Sequence, residues 1–285
     1  MKIGINSPVV VQLPGAFSPW EAEAGIDELG AVAETADALG FDFLTCSEHV
    51  MVPADIAAQR GGTYWDPLAT FGYLAARTTR IRLATQVLVL GYHHPLAIAK
   101  RYGTLDRVSG GRLVLGLGVG SLEEEFALLG ATFEGRGAIA DDALRALRAS
   151  LSQPRPSYDG EHFAFRDVVV EPHAVQPKVP LWIGGRTPRS LRRAVELADG
   201  WVPFGLSPTE LATLLGRVDL PAGFEVVLSP ERALDPTREP GATADALGVL
   251  AEVGATSASV RVAADSAQHY REQLAALAAH LPASE

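Results

Sequence analysis

The chain has 285 residues, with 24 Lys and Arg against 34 Asp and Glu for a net charge of −10, and 47% of its positions are hydrophobic. That composition suits a soluble globular protein with a sizeable core, and the acidic balance without a Lys/Arg cluster argues against nucleic acid as a partner. The single cysteine, Cys46, excludes a disulfide framework and any zinc site built on several thiolates, and points to the reducing cytoplasm. Residues 1–6 lack the features of a secretory signal and no apolar run reaches bilayer length, so membrane insertion is not expected.

Short β-branched or apolar runs alternate with Ala/Leu-rich stretches of helical spacing throughout. The predicted strands are residues 2–6, 42–46, 81–89, 112–117, 180–183, 200–203, 224–229 and 257–262, each followed by a helical pattern. Helix starts are marked by Asp66-Pro67, Thr187-Pro188 and Ser207-Pro208, where a capping side chain precedes proline at the first helical position. Helix ends are marked by Gly40 and Gly254. Eight strand–helix units at this length describe a (β/α)8 TIM barrel of the α/β class, typically ~250 residues, as one domain over 1–285. Two stretches break the alternation. Residues 54–65 follow the second strand and form a candidate active-site wall, and residues 153–179, between helix 4 and strand 5, carry a small hairpin near Tyr158.

Chemistry concentrates at the predicted strand ends. Ser47-Glu48-His49 emerges at the top of the second strand, where His49 is a candidate acid/base and Glu48 the carboxylate that orients it. A histidine that merely bonds a loop carbonyl is the alternative. Gly118-Val119-Gly120-Ser121 lets backbone approach a ligand, but a lone Gly-x-Gly is a weak motif. The acidic run Glu123 to Glu125 suits the helix dipole and is read as structural. Gly184-Gly185-Arg186-Thr187 combines flexible backbone, free amides at a helix start and an arginine, which makes either a phosphate cradle or a tight turn. His93-His94-Pro95 invites a metal, yet no partner has ligand spacing, and no metal site is expected; His94-Pro95 reads better as a helix cap. No nucleophile elbow or P-loop is present, and Cys46 reads as a packed apolar group.

Together these residues resemble the bacterial luciferase-like flavin and deazaflavin oxidoreductases, particularly the short members associated with coenzyme F420. The resemblance rests on Ser47-Glu48-His49, Trp65-Asp66-Pro67-Leu68, Thr78 to Thr85, Ala99-Lys100, Thr104-Leu105-Asp106 and Ser109-Gly110-Gly111-Arg112. It continues through Gly118-Val119-Gly120, Glu125-Phe126, Ile183-Gly184-Gly185 and Asp199-Gly200-Trp201. It implies a TIM barrel with a planar redox ring across the C-terminal mouth. The cofactor-binding residues it implies are Thr85, Gln86, Val87, Gly118, Val119, Gly120, Ser121, Gly184, Gly185, Arg186, Thr187, Pro203 and Phe204. Deazaflavin-using relatives carry a bulge with a non-proline cis peptide where Thr85 to Val87 stand here. Two departures stand out: Glu48 replaces the commoner Asp, and Ser121 occupies a position that is acidic in a sugar-phosphate dehydrogenase branch.

The implied activity is hydride transfer between coenzyme F420 and a small organic substrate, with His49 as acid/base. The alternatives are a monooxygenase using FMN and oxygen, and a cofactor-binding barrel without turnover. Specificity is expected from the irregular loops 54–65 and 153–179, and a homodimer follows by analogy with the family.

Overall fold

Eight of the apolar runs become parallel strands that close on themselves. In the computed structural model, which describes residues 1–282, the strands are β1 (Lys2–Ile5), β2 (Phe43–Cys46), β3 (Arg82–Thr85), β4 (Leu113–Gly118), β5 (Leu181–Gly184), β6 (Gly200–Val202), β7 (Glu225–Leu228) and β8 (Ser257–Val260). Their order is sequential, β1 pairs with β8, and the register Leu83↔Leu113 completes the ring. The helices outside are α1 (Ile26–Leu39), α2 (Pro67–Arg77), α3 (Pro95–Ser109), α4 (Arg136–Ser150), α5 (Pro188–Leu197), α6 (Pro208–Leu215), α7 (Pro240–Val253) and α8 (Ala267–Leu277). The expected TIM barrel is present, and among the described residues no helix is long and apolar enough to cross a membrane.

The caps act as their chemistry requires. Asp66 accepts from the Ala69 amide at 2.8 Å, Thr187 and Ser207 cap α5 and α6, and His94 caps α3 by accepting from Leu96 N. Gly40 and Gly254 end α1 and α7 in the left-handed conformation.

The barrel interior is filled by side chains. Phe43 and Trp182 meet edge to face at 5.2 Å, with Ala84, Val114, Val202 and Val227 around them; burying each large ring contributes on the order of 2 kcal/mol. At the N-terminal end Arg82 bonds Asp42 and Glu225 and lies over the Trp182 ring, whose indole N–H donates to Glu225. That end is closed by charge and aromatic packing, so access is left to the C-terminal mouth. A larger apolar layer lies between strands and helices, where Cys46 is also buried; burial pushes its thiol up to about 12, which keeps it an uncharged packing group.

The motifs at residues 78–81 and 106–112 are joints of this frame. Arg112, itself buried, donates to the carbonyls of Ser109, Ile81 and Ala75 and to Thr78 Oγ1, locking the end of α2 to the start of β4. Asp106 accepts from Leu113 N, Val175 N and Gln176 N. The 153–179 stretch therefore packs against the helices: its hairpin, Tyr158–Asp159 with Ala164–Phe165, is held by Asp142 of α4, and Phe163 stacks on His94.

Asp37 joins α1 to the entry of β3, accepting from the amides of Thr79, Arg80 and Ile81 and from Thr79 Oγ1 at 2.6–3.0 Å. Burial raises its pKa, but these donors, led by Ile81, outweigh burial and hold it below the ordinary carboxylate range. Its stabilisation is therefore complete above the unfolded-state pKa and is lost as pH falls through the depressed folded value. Asp37→Asn should lower the melting temperature by several degrees at pH 7. The gap to wild type should close as pH falls below about 4, read by thermal denaturation across a pH series; a gap that stayed constant with pH would exclude a charged Asp37 as the cause.

Candidate active site at the barrel mouth

The predicted third strand, residues 81–89, is not continuous. β3 ends at Thr85, a cis peptide joins Gln86 to Val87, and pairing with β4 resumes over Leu88–Val89. This is the place where the resemblance implies such a bulge. The end of β2 holds the segment through four hydrogen bonds: Gln86 N to Cys46 O at 2.9 Å, Ser47 Oγ to Gln86 O at 2.5 Å, Glu48 N to Val87 O at 3.1 Å, and Val89 N to Glu48 Oε2 at 2.7 Å. Thr85, fully buried, donates to Gly116 O at 2.7 Å.

Val87 projects between the ends of β4 and β5. A Cβ at Gly118 would meet Val87 Cγ2, and one at Gly184 would meet Val87 Cγ1, each at 2.7 Å. Both positions need glycine because a neighbouring side chain already fills the space. At Gly120 a Cβ would strike the Phe126 ring at 2.4 Å. The glycines of the 118–121 turn thus serve close packing within the chain, while Ser121 accepts a hydrogen bond from Arg60 of the loop after β2. That loop contains one helical turn, Ala57–Arg60, and bridges to the loop after β1 through Val11↔Tyr64.

His49 and Glu48 do not pair with each other, contrary to the sequence expectation. Both residues lie past the end of β2, and each side chain finds its own partner. Glu48, buried, binds His93 Nε2 through Oε1 at 2.6 Å. His49 Nδ1 meets Glu125 Oε2 at 2.6 Å. Glu125, read from sequence as a helix-dipole carboxylate, is fully buried and also receives Val50 N at 2.7 Å, Met51 N at 3.2 Å and the Tyr92 hydroxyl at 2.7 Å. A carboxylate that takes three other donors acts as an acceptor toward the imidazole too. Nδ1 carries the proton in that bond, and Nε2 makes no hydrogen bond among the described residues. Burial and the adjacent Glu125 push the Tyr92 hydroxyl upward, so it stays a donor. Tyr64 packs edge-on against the His49 ring at 4.6 Å. The sequence signal that could have found Glu125 was the Glu125-Phe126 dipeptide of the family pattern, since the helix-dipole argument treats all three glutamates alike.

A cavity of about 720 Å³ opens in the mouth. Its walls come mainly from the loops after β1, β6, β7 and β8, with Thr45, Ser47 and Gln86 adding to them, and neither residues 54–65 nor residues 153–179, the stretches expected to set specificity, line it. The physical reason for the second stretch is topological: a connection from helix to strand runs outside the mouth, and here it is bound to α3 and α4. Of the sequence-predicted residues, Gln86, Pro203 and Phe204 line the cavity, as does Ser47; His49 stands farther along the rim against Tyr64. Asn6, Ser229 and Ser259 also line it, and sequence reasoning missed them because small polar residues at strand ends carry no motif.

Gly184, Gly185, Arg186 and Thr187 form the turn into α5. Thr187 Oγ1 accepts from Ser190 N, and Ser190 Oγ accepts from Thr187 N. At Gly185, with φ +121°, a Cβ would come within 2.8 Å of Ser190, so the turn takes glycine for its backbone conformation and its close packing on Ser190. Arg186 is exposed and lies over the Phe204 ring, 5.8 Å from its centroid, which puts the cradle beside the cavity. A phosphate-bearing redox cofactor suits this set: backbone and a cation for the anionic tail, and a mixed apolar and amide-lined mouth for a planar ring.

Comparison with known proteins agrees with this architecture. An uncharacterized protein of Mycobacterium tuberculosis is 32% identical over 264 residues, covering 86% of this chain and 92% of the relative. An F420-dependent glucose-6-phosphate dehydrogenase of Microbacterium testaceum is 30% identical over 208 residues, covering 72% of this chain and 60% of that enzyme. Two solved structures share the fold at a TM-score of 0.75: a monooxygenase from Streptomyces bottropensis, 22% identical over 99% of this chain and 98% of its own, and the coenzyme F420 dependent tetrahydromethanopterin reductase of Methanopyrus kandleri, 15% identical over 99% of both. The family model described as luciferase-like monooxygenase matches residues 1–221, and the chain belongs to that family.

Proposed function

We propose that the chain transfers a hydride between coenzyme F420 and a small organic substrate at the barrel mouth. The observation that carries this reading is the 184–187 turn at the start of α5, with its exposed Arg186 beside a 720 Å³ cavity; the 30% identity to an F420-dependent dehydrogenase supports the choice of cofactor. The cofactor, when bound, supplies the hydride chemistry, and the protein supplies binding, orientation and proton handling. Gly184, Gly185, Arg186 and Thr187 would hold its anionic tail. Thr85, Gln86, Val87, the turn from Gly118 through Val119 and Gly120 to Ser121, Pro203 and Phe204 would border its ring.

An alcohol that loses a hydride must also lose its hydroxyl proton, and a carbonyl that gains one must gain a proton. His49 Nε2 is the atom assigned to that proton, and Glu125 is the positioning residue that fixes the imidazole through Nδ1. Glu48 acts at one remove, by holding the 86–89 segment and His93. A second reading, an FMN-dependent monooxygenase, is favoured by the description of the matching family model.

Titration of purified protein with F420 and with FMN, read by fluorescence, separates the possibilities. Binding of F420 alone supports the first reading, FMN alone the second, and neither would leave a barrel without a redox cofactor. Because Arg186 is exposed, Arg186→Ala should weaken F420 binding by about tenfold with no change in melting temperature; unchanged affinity would remove the cradle from the cofactor site.

His49→Ala should lower kcat by about 100-fold or more while F420 affinity stays within several-fold. Glu125→Gln should lower kcat by about tenfold or more and abolish the downfield, hydrogen-bonded Nδ1 proton signal of His49 in NMR spectra; Glu125→Asp should restore part of both. Full turnover by His49→Ala would end its assignment as acid/base.

A further inference from the structure

Asn6 stands at the end of β1, in the wall of the cavity, and nearly all of its hydrogen-bonding groups are already used. Its amide N donates to Val260 O at 2.8 Å, and its carbonyl O accepts from the Tyr270 hydroxyl at 3.3 Å. Its side-chain Oδ1 accepts from Ser259 Oγ at 2.6 Å and from Thr45 Oγ1 at 3.3 Å. Oδ1 thus faces Ser259 and Thr45, with Ser259 Oγ shared between it and Gln86 Oε1 at 3.1 Å. What remains is Nδ2, with two N–H donors and no acceptor among the described residues, on a half-buried side chain that lines the cavity.

The surroundings define what those donors would meet. Val10, Val11, Leu211 and Val262 give the same cavity apolar walls. Its charged lining residues are two acids, Glu21 and Glu231, and two bases, Arg232 and Arg261, so the lining carries no net charge. Glu21 is bound to the amides of Val9 and Ser18, Arg232 to Glu239, and Arg261 to the carbonyl of Ala16. A neutral amide among apolar walls, in a lining whose formal charges sum to zero, favours an uncharged ligand over an anion.

We propose that Asn6 is a specificity-determining residue whose Nδ2 donates to the carbonyl or hydroxyl oxygen of an uncharged, largely apolar substrate. This assignment rests on the reading of the mouth as a redox active site, and it narrows the substrate class there. The contacts with Ser259 and Thr45 hold the Asn6 side chain in place, so little rotamer freedom is lost when a ligand oxygen meets Nδ2.

The test uses three probes of similar shape: 2-decalone, 2-methylenedecalin, which lacks the acceptor oxygen, and decahydro-2-naphthoate, which is anionic. Binding is measured by ligand-detected NMR on wild-type protein with and without F420. The ketone should bind about tenfold more tightly than the alkene and at least as much more tightly than the carboxylate. Asn6→Asp keeps an acceptor for Ser259 and Thr45 but replaces the donor; it should erase the ketone's advantage while F420 affinity stays within twofold. Equal or undetectable binding of ketone and alkene by wild type, stronger binding of the carboxylate, or loss of F420 affinity with the ketone preference intact in Asn6→Asp would each overturn the assignment. The wild-type ratio decides even if the variant fails to fold. Failure of wild type to bind F420 would instead count against the proposed hydride transfer, since the ketone-to-alkene ratio is also read without cofactor.

Discussion

The mouth is organised by the way the end of β2 grips the segment after β3. Ser47, the Glu48 backbone and the Glu48 carboxylate all bond the stretch from Gln86 to Val89. With that segment set, Val87 is driven between β4 and β5, which must carry Gly118 and Gly184 at their ends to admit it. Close-packed interiors leave no slack for an added methyl at such points. The same grip decides where His49 emerges, because His49 is the next residue along the chain. One local tie thus fixes the packed side of the mouth and the starting position of the imidazole.

Around this tie the ionisable groups are sorted into two separate Glu–His pairs. Glu48 serves His93 and the chain frame, while Glu125 serves His49. Burying two carboxylates this deeply is costly unless each is supplied with donors, and each is: Glu48 by an amide and an imidazole, Glu125 by two amides, a tyrosine hydroxyl and an imidazole. The donor count explains why Glu125 can present one fixed acceptor to Nδ1 without solvent access. It also explains why Glu48 is unavailable to orient His49, although it is adjacent in the chain.

The fold was legible because its signals are local and periodic. Each strand is a short apolar run, and the caps at Asp66, Thr187 and Ser207 mark where helices must start. The break in the run over 81–89 was marked only by the family resemblance at Thr85 to Val87, since nothing in the composition of Gln86 or Val87 distinguishes a bulge from a strand interior. The site was legible only as far as its residues sit on motifs. His49 and the 184–187 turn could be marked, because a histidine after a strand and glycines before a helix have direct physical meanings. The partner of His49 lies 76 positions away, and the choice among Glu123, Glu124 and Glu125 depends on which face of a short helix turns inward. Asn6 is harder still, as its significance comes from the saturation of Oδ1 by residues 39 and 253 positions away.

The two sides of the mouth also differ in what fills them. Toward β4 and β5, Val87 and the Phe126 ring occupy the volume that glycines leave, so the backbone there approaches other parts of the same chain. Toward β1, β7 and β8 the strand ends carry Asn6, Ser229 and Ser259, and these line the cavity. Small polar residues at those positions keep the space open and leave its polar surface neutral. A barrel plugged at its N-terminal end by Arg82, Asp42 and Glu225 has a single face left for exchange with solvent. On that face, packing against Val87 fixes one wall, and the unfilled side toward β8 supplies the volume a ligand would occupy.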